Sequence, residues 1–504
     1  MGVIAKQSIK GTIVTYLGVA VGFVTTFFVI TRFLSAEDIG LARVMIDAAT
    51  LFIGLAQLGT SASILRFYPY FAEPSEVRGQ KPEEHGFFFW TIVVPMVGFL
   101  LVALLFMVCY APLSEWFGEK SPLFVNYYYL VLPLAFFMLY QTVFETNANV
   151  RMRIVFPRAV RELLTRVGLL AVYLLYAFDV VTTDGFVWSL VGVYAVAALC
   201  NTVYLFSLGG VSLKPDFAYL RQNPGIVRKY LLYTAFLVLS AVVSVLAPTL
   251  SSFFITAQMG LSYTGIFAIA TYMAMMVSIP YRSLTAIAAP QLSLAIKHDD
   301  REQISRQLTQ VSGNLLLIGG LILALMWVNI DLIFAILPNG ATYAVARRTV
   351  LLLGIGQLCV ATFQFTVTAL SYSRYYPFTL LFSLVLTILA LLLNNLFIPR
   401  WGIDGAALAT LTAQVSYYLI ALITVRLALG SRIFTRRHLL TILLLVLLFA
   451  ANALCLRYLP VGTIWLSSLL RTLLVVAVAA LAYQWRISPE INEYIHALFH
   501  RIRL

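Results

Sequence analysis

The sequence predicts an all-α integral membrane protein. Three observations lead to that prediction: the composition, the length of the apolar runs and the lack of strand-like alternation between apolar and polar residues. Hydrophobic residues make up 61% of the 504 residues, charged residues only 11%, and the mean hydropathy is +0.91, whereas a soluble domain carries about 25% charged residues. Most apolar runs reach about 20 residues, the length a helix needs to cross about 30 Å of hydrocarbon. No run alternates as a membrane-spanning strand of about ten residues would.

The apolar runs predict about 14 transmembrane helices. The first run follows Lys6 and Lys10 and is too long for a cleavable signal, so we expect it to be retained as a span. An even number of spans puts both termini on one side, and that side carries 24 of the 34 lysines and arginines against 7 on the other. We therefore predict that both termini are cytoplasmic. The predicted spans are 11–34, 41–66, 87–110, 123–147, 156–178, 185–208, 230–257, 263–296, 310–336, 345–371, 376–398, 404–428, 438–458 and 463–483.

Three landmarks at the starts of spans recur at nearly one spacing, which is the pattern that a duplication leaves. Since six spans preserve orientation, the pattern predicts two six-helix lobes related as parallel repeats, followed by two extra helices. The paired landmarks are Gly40 and Gly265, 225 residues apart, and Pro157 with Pro377 and Gly185 with Gly405, each 220 residues apart. The predicted domains are an N-terminal lobe at 1–208, a cytoplasmic linker at 209–229, a C-terminal lobe at 230–428, helices 13 and 14 at 429–483 and a cytoplasmic amphipathic tail at 484–504.

Several other classes of protein are disfavoured by the same sequence. The net charge of +13 follows from the positive-inside rule, so no nucleic-acid partner is predicted. The four cysteines lie singly in separate apolar runs and the five histidines lie in polar connections or the tail. We therefore predict no metal, no cofactor and no histidine proton relay. The outward connections are all short, which leaves no place for a catalytic loop and argues against a membrane enzyme.

Charged side chains inside the predicted spans are the candidates for function, because a charge facing lipid costs about 2.5 kcal/mol or more. In the fifth span Arg158, Arg161 and Arg166 share one arc with Glu162 and Thr165, just inside the predicted cytoplasmic boundary. Arginine suits phosphate because its planar group donates two parallel hydrogen bonds and stays charged when desolvated. The alternative is that Arg158 and Arg161 are ordinary positive-inside residues and that Arg166 pairs with Glu162 one turn away.

Other charged residues extend this set. Arg282 lies near the middle of the eighth span, two residues after Pro280, where a proline often breaks a helix at a binding site. Asp331 and Arg471 lie near span ends and are expected to snorkel to the surface. The predicted binding residues for a pyrophosphate or sugar are Arg66, Arg158, Arg161, Arg166, Arg282 and Gln57.

The second span contains an arginine and an aspartate, Arg43 and Asp47, one helical turn apart. Their spacing predicts an ion pair. The pair, together with Glu145 at the end of the fourth span, is predicted to bind a coupling proton or sodium ion or to close the outer gate. The ion pair belongs to a polar stripe on one face of the second span, which we expect to line a cavity. The stripe comprises Arg43, Asp47, Thr50, Gly54 and Gln57.

Three segments resemble bacterial polysaccharide flippases of the multidrug/oligosaccharidyl-lipid/polysaccharide (MOP) exporter superfamily. They are RFLSAEDIGLARVMIDAATLFIGLAQLGTSASILRFYPYF from Arg32, APQLS from Ala289 and IPRWGIDGAALAT from Ile398. The resemblance implies two six-helix lobes around a central cavity that opens alternately to each face. It further implies an undecaprenyl-diphosphate-linked oligosaccharide as substrate, moved from the cytoplasmic to the periplasmic leaflet of the bacterial inner membrane. The implied partners are membrane lipids, a polysaccharide polymerase and a chain-length regulator.

The chain also departs from the lipid II flippases of that superfamily. Those carry an arginine and an aspartate in the first span, where this chain has Thr25 and Thr26, and a cavity arginine that Thr271 replaces if Pro290 anchors the eighth span. An O-antigen, capsule or exopolysaccharide unit is therefore the expected cargo instead of a peptidoglycan precursor. Two alternatives stay open at this point. They are a cation-coupled multidrug exporter of the same superfamily and a membrane polysaccharide polymerase or ligase.

Overall fold

The structure is a computed structural model and describes residues 14–15, 17–71, 85–209, 211–222, 225, 230, 234, 246, 249–431, 433–458, 463–485, 487–490 and 492–493. Every regular element within these ranges is helical, which confirms the predicted all-α membrane fold. By contacts the chain divides into two compact units, Met1–Gly265 and Ile266–Leu504, and each is described by itself. Most of the amphipathic tail predicted at 484–504 and most of the seventh span at 230–257 lie outside the described residues.

The first unit is a bundle of helices around α7, which packs against α2 and α10. Its buried surface is apolar, with Met45 on α2, Leu139 on α7 and Leu190 on α10 fully enclosed. Residues 249–259 are also helical. The helices are α1 (Leu17–Phe33), α2 (Ala36–Ala56), α3 (Thr60–Phe71), α4 (Phe87–Val108), α5 (Tyr110–Gly118), α6 (Pro122–Asn126), α7 (Tyr128–Val150), α8 (Val155–Ala159), α9 (Thr165–Ala177), α10 (Thr183–Leu208) and α11 (Phe217–Gln222).

The second predicted span is a broken helix made of α2 and α3. It begins at a capping box, in which the Ser35 hydroxyl accepts from the Asp38 backbone N–H and the Asp38 carboxylate accepts from the Ser35 N–H. It breaks at Leu58 and Gly59, whose φ angles are +44° and +67°, because left-handed backbone cannot continue an α-helix. The carbonyls at the end of α2 are thereby freed from helical hydrogen bonding.

Two other spans of the first unit contain π-helical turns. In α1 the turn covers Thr25–Ile30, and between α8 and α9 it covers Val160–Leu164. The second is marked by the Thr165 hydroxyl, which donates to the Val160 carbonyl five residues earlier at 3.1 Å. Such turns widen the helix locally and are frequent at functional sites.

The second unit is built on α14, which packs against α13, α17, α19 and α20. The two extra helices that the repeat pattern left over, α19 and α20, therefore dock on the ninth predicted span. Helix α12 begins in the first unit and ends in the second. The helices are α12 (Leu261–Met275), α13 (Ile279–Lys297), α14 (Arg301–Val328), α15 (Ile330–Ile336), α16 (Gly340–Tyr343), α17 (Arg347–Tyr372), α18 (Pro377–Leu429), α19 (Arg436–Tyr458) and α20 (Ile464–Gln484).

Helix α18 is 53 residues long and accounts for two predicted spans, the eleventh and the twelfth. Gly402, with φ +58° and ψ −136°, interrupts it. A Cβ on Gly405 would lie 2.2 Å from the carbonyl oxygen of Phe397, whereas residues eight apart in a straight helix are separated by about 12 Å. The chain therefore doubles back at Gly402, and only a glycine fits at position 405.

Ten helices within the described ranges are long and apolar enough to cross a membrane. The doubled α18 contains two predicted spans, α1 is a shorter apolar helix, and the fifth span is divided by its π-helical turn. The predicted total of 14 stays a prediction, because most of the seventh span is not described.

A small polar cluster joins the loop before α4 to the loop before α11. The His85 ring stacks on Tyr219 at 4.3 Å between centroids, and His85 Nδ1 lies 3.2 Å from Asp216 Oδ2. The Tyr219 backbone N–H donates to Asp216 Oδ1 at 3.0 Å. This hydrogen bond, together with the contact from His85, holds the pKa of the Asp216 carboxyl below its ordinary value.

The lowered pKa of Asp216 sets the direction of a pH dependence. A carboxyl whose folded-state pKa is depressed stabilises the contact above its unfolded pKa of about 3.9 and loses that contribution as the pH falls through the folded value. We therefore expect amide-exchange protection of Tyr219, corrected for intrinsic rates, to be constant from pH 7 to about 5 and to fall below about 4. Asp216→Asn is expected to lack this fall, and an identical acid transition in that variant would contradict the assignment.

Candidate functional site

The predicted basic face of the fifth span is a chain of alternating charges in the structure. Arg161 Nη1 lies 2.9 Å from Glu145 Oε1 on α7, and Arg161 Nε lies 3.3 Å from Glu162 Oε1. Glu162 Oε2 lies 2.9 Å from Arg166 Nη2, and Arg166 Nη1 donates to the carbonyl of Gly18 on α1 at 2.7 Å. The chain Glu145–Arg161–Glu162–Arg166 thus links three predicted spans.

The π-helical turn Val160–Leu164 carries the two central members of this ion-pair chain, Arg161 and Glu162. The Thr165 hydroxyl that closes the turn also accepts from the Gln141 side-chain amide on α7 at 3.3 Å. A Cβ on Gly18 would lie 2.4 Å from the Glu162 carbonyl oxygen. The widened turn is therefore fixed from both sides, by α7 and by the backbone of α1.

Burial is uneven along the ion-pair chain. The carboxylates of Glu145 and Glu162 are 9% and 14% exposed, whereas the Arg161 side chain is 51% exposed. Two arginines and two glutamates sum to no net charge, so the face is less basic than the sequence pattern suggested. Both carboxylates depend on their arginine partners, since a buried charge without a partner is costly. The pairing of Arg166 with Glu162, predicted from their spacing, is present, and the Glu145–Arg161 contact was not predicted.

Two other predicted arginines belong to the first unit. Arg158 on α8 is half-buried and lies within electrostatic range of Glu145. Arg66 is exposed on α3, with its guanidinium carbon 5.8 Å from the centre of the Phe67 ring. The structure therefore associates Arg158 with the ion-pair chain, while Arg66 contacts an aromatic ring of its own helix.

Arg282 lies in the second unit, on α13. A 3-10 turn at Met276–Ser278 lies between α12 and α13, and Pro280 stands in the first turn of α13. The helix is locally distorted before this proline but is not interrupted, since Leu261–Thr285 is helical throughout. The Arg282 side chain is exposed and forms no ion pair with any described residue. Its guanidinium is thus available to an anionic ligand.

The second span holds the predicted Arg43–Asp47 ion pair, with Nε 2.8 Å from Oδ2. Asp47 is buried, and the hydroxyl of Ser252 in the helical segment 249–259 is a further hydrogen-bond partner. Gln57 ends α2 at the break, where its side-chain oxygen accepts from Ser61 at 3.2 Å. The ion pair therefore bridges to a second helix, which the sequence could not indicate.

The start of α2 crosses the start of α12 with the two backbones in contact. A Cβ on Gly40 would lie 1.9 Å from the Leu261 carbonyl oxygen, and a Cβ on Gly265 would lie 2.0 Å from the Ala36 carbonyl oxygen. The contact is reciprocal, and glycine is required at both places because any side chain would separate the helices. These two glycines are the first pair of landmarks in the predicted repeat, and the sequence did not suggest that they touch.

Arg471 corrects one expectation from the sequence. Arg471 is only 4% exposed, and its Nε donates to the Ser467 carbonyl at 3.1 Å. The predicted snorkelling of Arg471 is therefore wrong. The reason is that α20 packs against α14, α15 and α19, which encloses this face. Asp331, the other residue expected to snorkel, is partly exposed and pairs with Arg347 at 3.0 Å.

His438 is a second residue whose environment differs from the one expected from the sequence. It is fully buried at the start of α19, not exposed in a polar connection. Nδ1 accepts from the Thr435 backbone N–H at 3.4 Å, so Nε2 carries the hydrogen and donates to the Ser312 hydroxyl at 2.9 Å. The neutral ring thereby attaches α19 to α14.

Comparison with known families decides the class of the protein. A family model described as "Polysaccharide biosynthesis protein" matches residues 4–294, more than half of the chain. The chain belongs to this family. The matched range contains every predicted site residue, from Arg43 to Arg282. No curated protein sequence matches the chain.

Several solved structures of membrane transporters have the same fold as this protein. The lipid II flippase MurJ in an inward closed conformation is 13% identical, with a TM-score of 0.66 over 94% of this chain and 99% of that chain. An inward-facing multidrug-resistance MATE transporter of the MOP superfamily is 12% identical, with a TM-score of 0.63 over 82% and 98%. A MOP superfamily transporter from Pyrococcus furiosus is 12% identical, with a TM-score of 0.51 over 85% and 95%. The predicted resemblance to polysaccharide biosynthesis proteins is confirmed by the family match. The similarity to MOP superfamily transporters, at identities this low, establishes a shared fold alone.

Proposed function

We propose that this polysaccharide biosynthesis protein is a flippase for undecaprenyl-diphosphate-linked oligosaccharides. It moves them from the cytoplasmic to the periplasmic leaflet of the bacterial inner membrane, with both termini cytoplasmic. The family match over residues 4–294 carries the proposal. The excess of lysine and arginine on the side of the termini supports the orientation. A polysaccharide polymerase and a chain-length regulator are the proposed partners on the delivery side.

The ion-pair chain supplies a way to receive a pyrophosphate. Arg161 is half-exposed and Arg158 lies close by, so an incoming diphosphate can reach both without rearranging the bundle. A phosphate that pairs with Arg161 displaces Glu145, whose carboxylate is 9% exposed and then lacks its partner. A buried carboxylate in that situation requires a proton or a cation. Substrate entry would thereby be coupled to an ion, which gives Glu145 its predicted role.

The remaining predicted residues act later in the proposed cycle. Arg282 holds the pyrophosphate during transit, because its side chain is exposed just after the 3-10 turn at Met276–Ser278. The Arg43–Asp47 pair and the close crossing at Gly40 lie near the start of α2 and form the outer gate. Rocking of one lobe against the other then exposes the sugar head group to the other side.

Loss of Arg282 tests this function directly. Arg282→Ala removes a charge-assisted contact of about 1.5–3 kcal/mol, so surface polysaccharide in a complemented deletion strain is expected to fall about tenfold or more at equal expression. Arg282→Lys should restore part of it, since the charge remains but the bidentate contact does not. Arg306→Ala, which alters another exposed arginine of the second unit, is the control and should export normally.

The deletion strain itself decides between transport and other roles. It is expected to accumulate lipid-linked oligosaccharide that a membrane-impermeant probe reaches only from the cytoplasmic face of vesicles. Normal surface polysaccharide in the deletion strain would refute the proposed function. Normal export by Arg282→Ala, with a clear defect in the deletion strain, would refute only the role of Arg282.

A cation-coupled drug exporter is the second candidate, favoured by the similarity to a MATE transporter fold and by the buried carboxylate of Asp47. It predicts that deletion sensitises cells to cationic drugs and that Asp47→Asn has the same effect. Unchanged drug sensitivity in the deletion strain would exclude this candidate.

A further inference from the structure

A cavity of about 480 Å³ lies in the second unit where three predicted spans end or begin. Its volume falls in the range of about 300–1,000 Å³ usual for small-molecule sites. In the predicted topology it lies on the side opposite the termini, far along the chain from the site described above. The cavity is lined by Trp327, Ala344, Val345, Arg347, Arg348 and Asp404.

Three of the lining side chains are held in place by contacts around the cavity. Arg347 Nη2 lies 3.0 Å from Asp331 Oδ2, and the Arg347 guanidinium carbon lies 5.4 Å from the centre of the Trp327 ring. The Thr349 hydroxyl donates to Asp404 Oδ1 at 2.6 Å. The indole, one guanidinium and one carboxylate are thus positioned before any ligand arrives, which lowers the entropic cost of binding.

Arg348 differs from its neighbour because it is exposed and pairs with no described residue. Arg347 and Arg348 begin the 26-residue helix α17, where the helix dipole disfavours cations. They are also two of the few basic residues predicted on the outward side, which the positive-inside rule depletes. An anionic ligand in the cavity would account for both observations.

The combination of groups restricts the chemistry of that anion. A guanidinium binds a carboxylate or phosphate through two parallel hydrogen bonds. The indole offers an apolar edge and face against which a sugar ring can pack. Asp404 has a second oxygen that can accept hydrogen bonds from hydroxyl groups. A hydroxyl-bearing ring with one carboxylate satisfies all three groups, whereas a glycerophospholipid head group has no ring to pack against the indole.

We propose that this cavity binds an acidic sugar residue, of the uronic acid class, in the oligosaccharide that the protein delivers. The proposal rests on the proposed function, since it narrows the class of cargo. Arg348 would pair with the sugar carboxylate, Asp404 would accept from ring hydroxyls, and Trp327 with Arg347 would form the wall. A delivered head group would thus be retained at the outward face before release.

The test is ligand binding by the full-length protein in lipid nanodiscs, measured by saturation-transfer NMR. The probe is D-glucuronate, and D-glucose is the matched ligand that has the same ring without the carboxylate. Arg348→Gln removes the charge, and Arg400→Gln, which alters an exposed arginine outside the cavity, is the control. We expect glucuronate to bind the wild type and Arg400→Gln about tenfold or more tightly than Arg348→Gln, and glucose to bind weakly to all three.

Each other outcome overturns the assignment. Equal binding of glucuronate and glucose, or glucuronate binding unaffected by Arg348→Gln, would show that the cavity does not recognise the carboxylate. If inorganic phosphate, or phosphatidylglycerol in the nanodisc, abolished glucuronate binding at concentrations well below that of glucuronate, the cavity would be a lipid phosphate site instead. The assay does not involve translocation, so normal export in the deletion strain would refute the proposed function while leaving glucuronate binding intact.

Discussion

Glu162→Gln is expected to lower both the stability of the protein and polysaccharide export, because Glu162 is the central acceptor for two arginines. The variant keeps the shape of the side chain but leaves Arg161 and Arg166 with one carboxylate between them. Breaking a fully buried pair costs about 3–5 kcal/mol. We expect about 1–3 kcal/mol here, since Arg161 is 51% exposed and water screens part of the charge. Thermal unfolding in detergent and surface polysaccharide measure the two effects.

A double-mutant cycle separates the ion pair from general damage. Arg166→Gln alone should also destabilise, and the double variant Glu162→Gln/Arg166→Gln should be less destabilised than the sum of the two singles. Glu119→Gln alters an exposed pair with Lys120 and should change stability by less than about 0.5 kcal/mol. Strict additivity in the cycle would show that the Glu162–Arg166 contact contributes nothing.

Gly40→Ala is expected to reduce export about fivefold or more, because the new Cβ would lie 1.9 Å from the Leu261 carbonyl oxygen. The helices must separate by more than an ångström, and overpacking of this kind costs about 1–3 kcal/mol, equivalent to about fivefold or more in the population of the closed crossing. Gly265→Ala meets the Ala36 carbonyl oxygen at 2.0 Å and should behave alike. The measurement is surface polysaccharide together with the midpoint of thermal unfolding.

The controls for the crossing use the same substitution at a permissive site. Gly192 on α10 has no heavy atom within 4 Å of a built Cβ, so Gly192→Ala should export and unfold as the wild type does. Because Gly40 and Gly265 form one contact, the double variant should be little worse than either single. Wild-type export by Gly40→Ala would contradict a close crossing in the transport cycle.

Local features of the fold were predictable because they depend on residues within one or two helical turns. Arg43 and Asp47 are four residues apart, as are Glu162 and Arg166, and this spacing was enough to predict both ion pairs. Pro280 suggested a helix break, and the structure has a 3-10 turn just before it within a continuous helical segment. The widened turn at Val160–Leu164 was not predicted, since nothing in VRELL distinguishes a π-helical turn from an α-helical one.

The candidate site was predictable only in part. Its arginines could be identified because charge is costly inside a span, but the partner of Arg161 on another helix could not. Glu145 is 16 residues from Arg161 and reaches it only because α7 packs beside the fifth span. The expectation that Arg471 snorkels failed for the same reason, since its exposure depends on what α20 packs against.

By itself the sequence determined that this protein is a helical membrane protein, and its motifs indicated a polysaccharide biosynthesis family. Run length, composition and short motifs are properties of neighbouring residues, and the lipid bilayer admits few alternatives to a helix. Only the tertiary structure decided that Arg161 and Arg166 of the basic face lie in an ion-pair chain without net charge and that Gly40 meets Gly265, 225 residues away. It also brought Trp327, Arg348 and Asp404 to one cavity. These contacts depend on how whole helices pack, and the order of residues along one helix does not specify its neighbours.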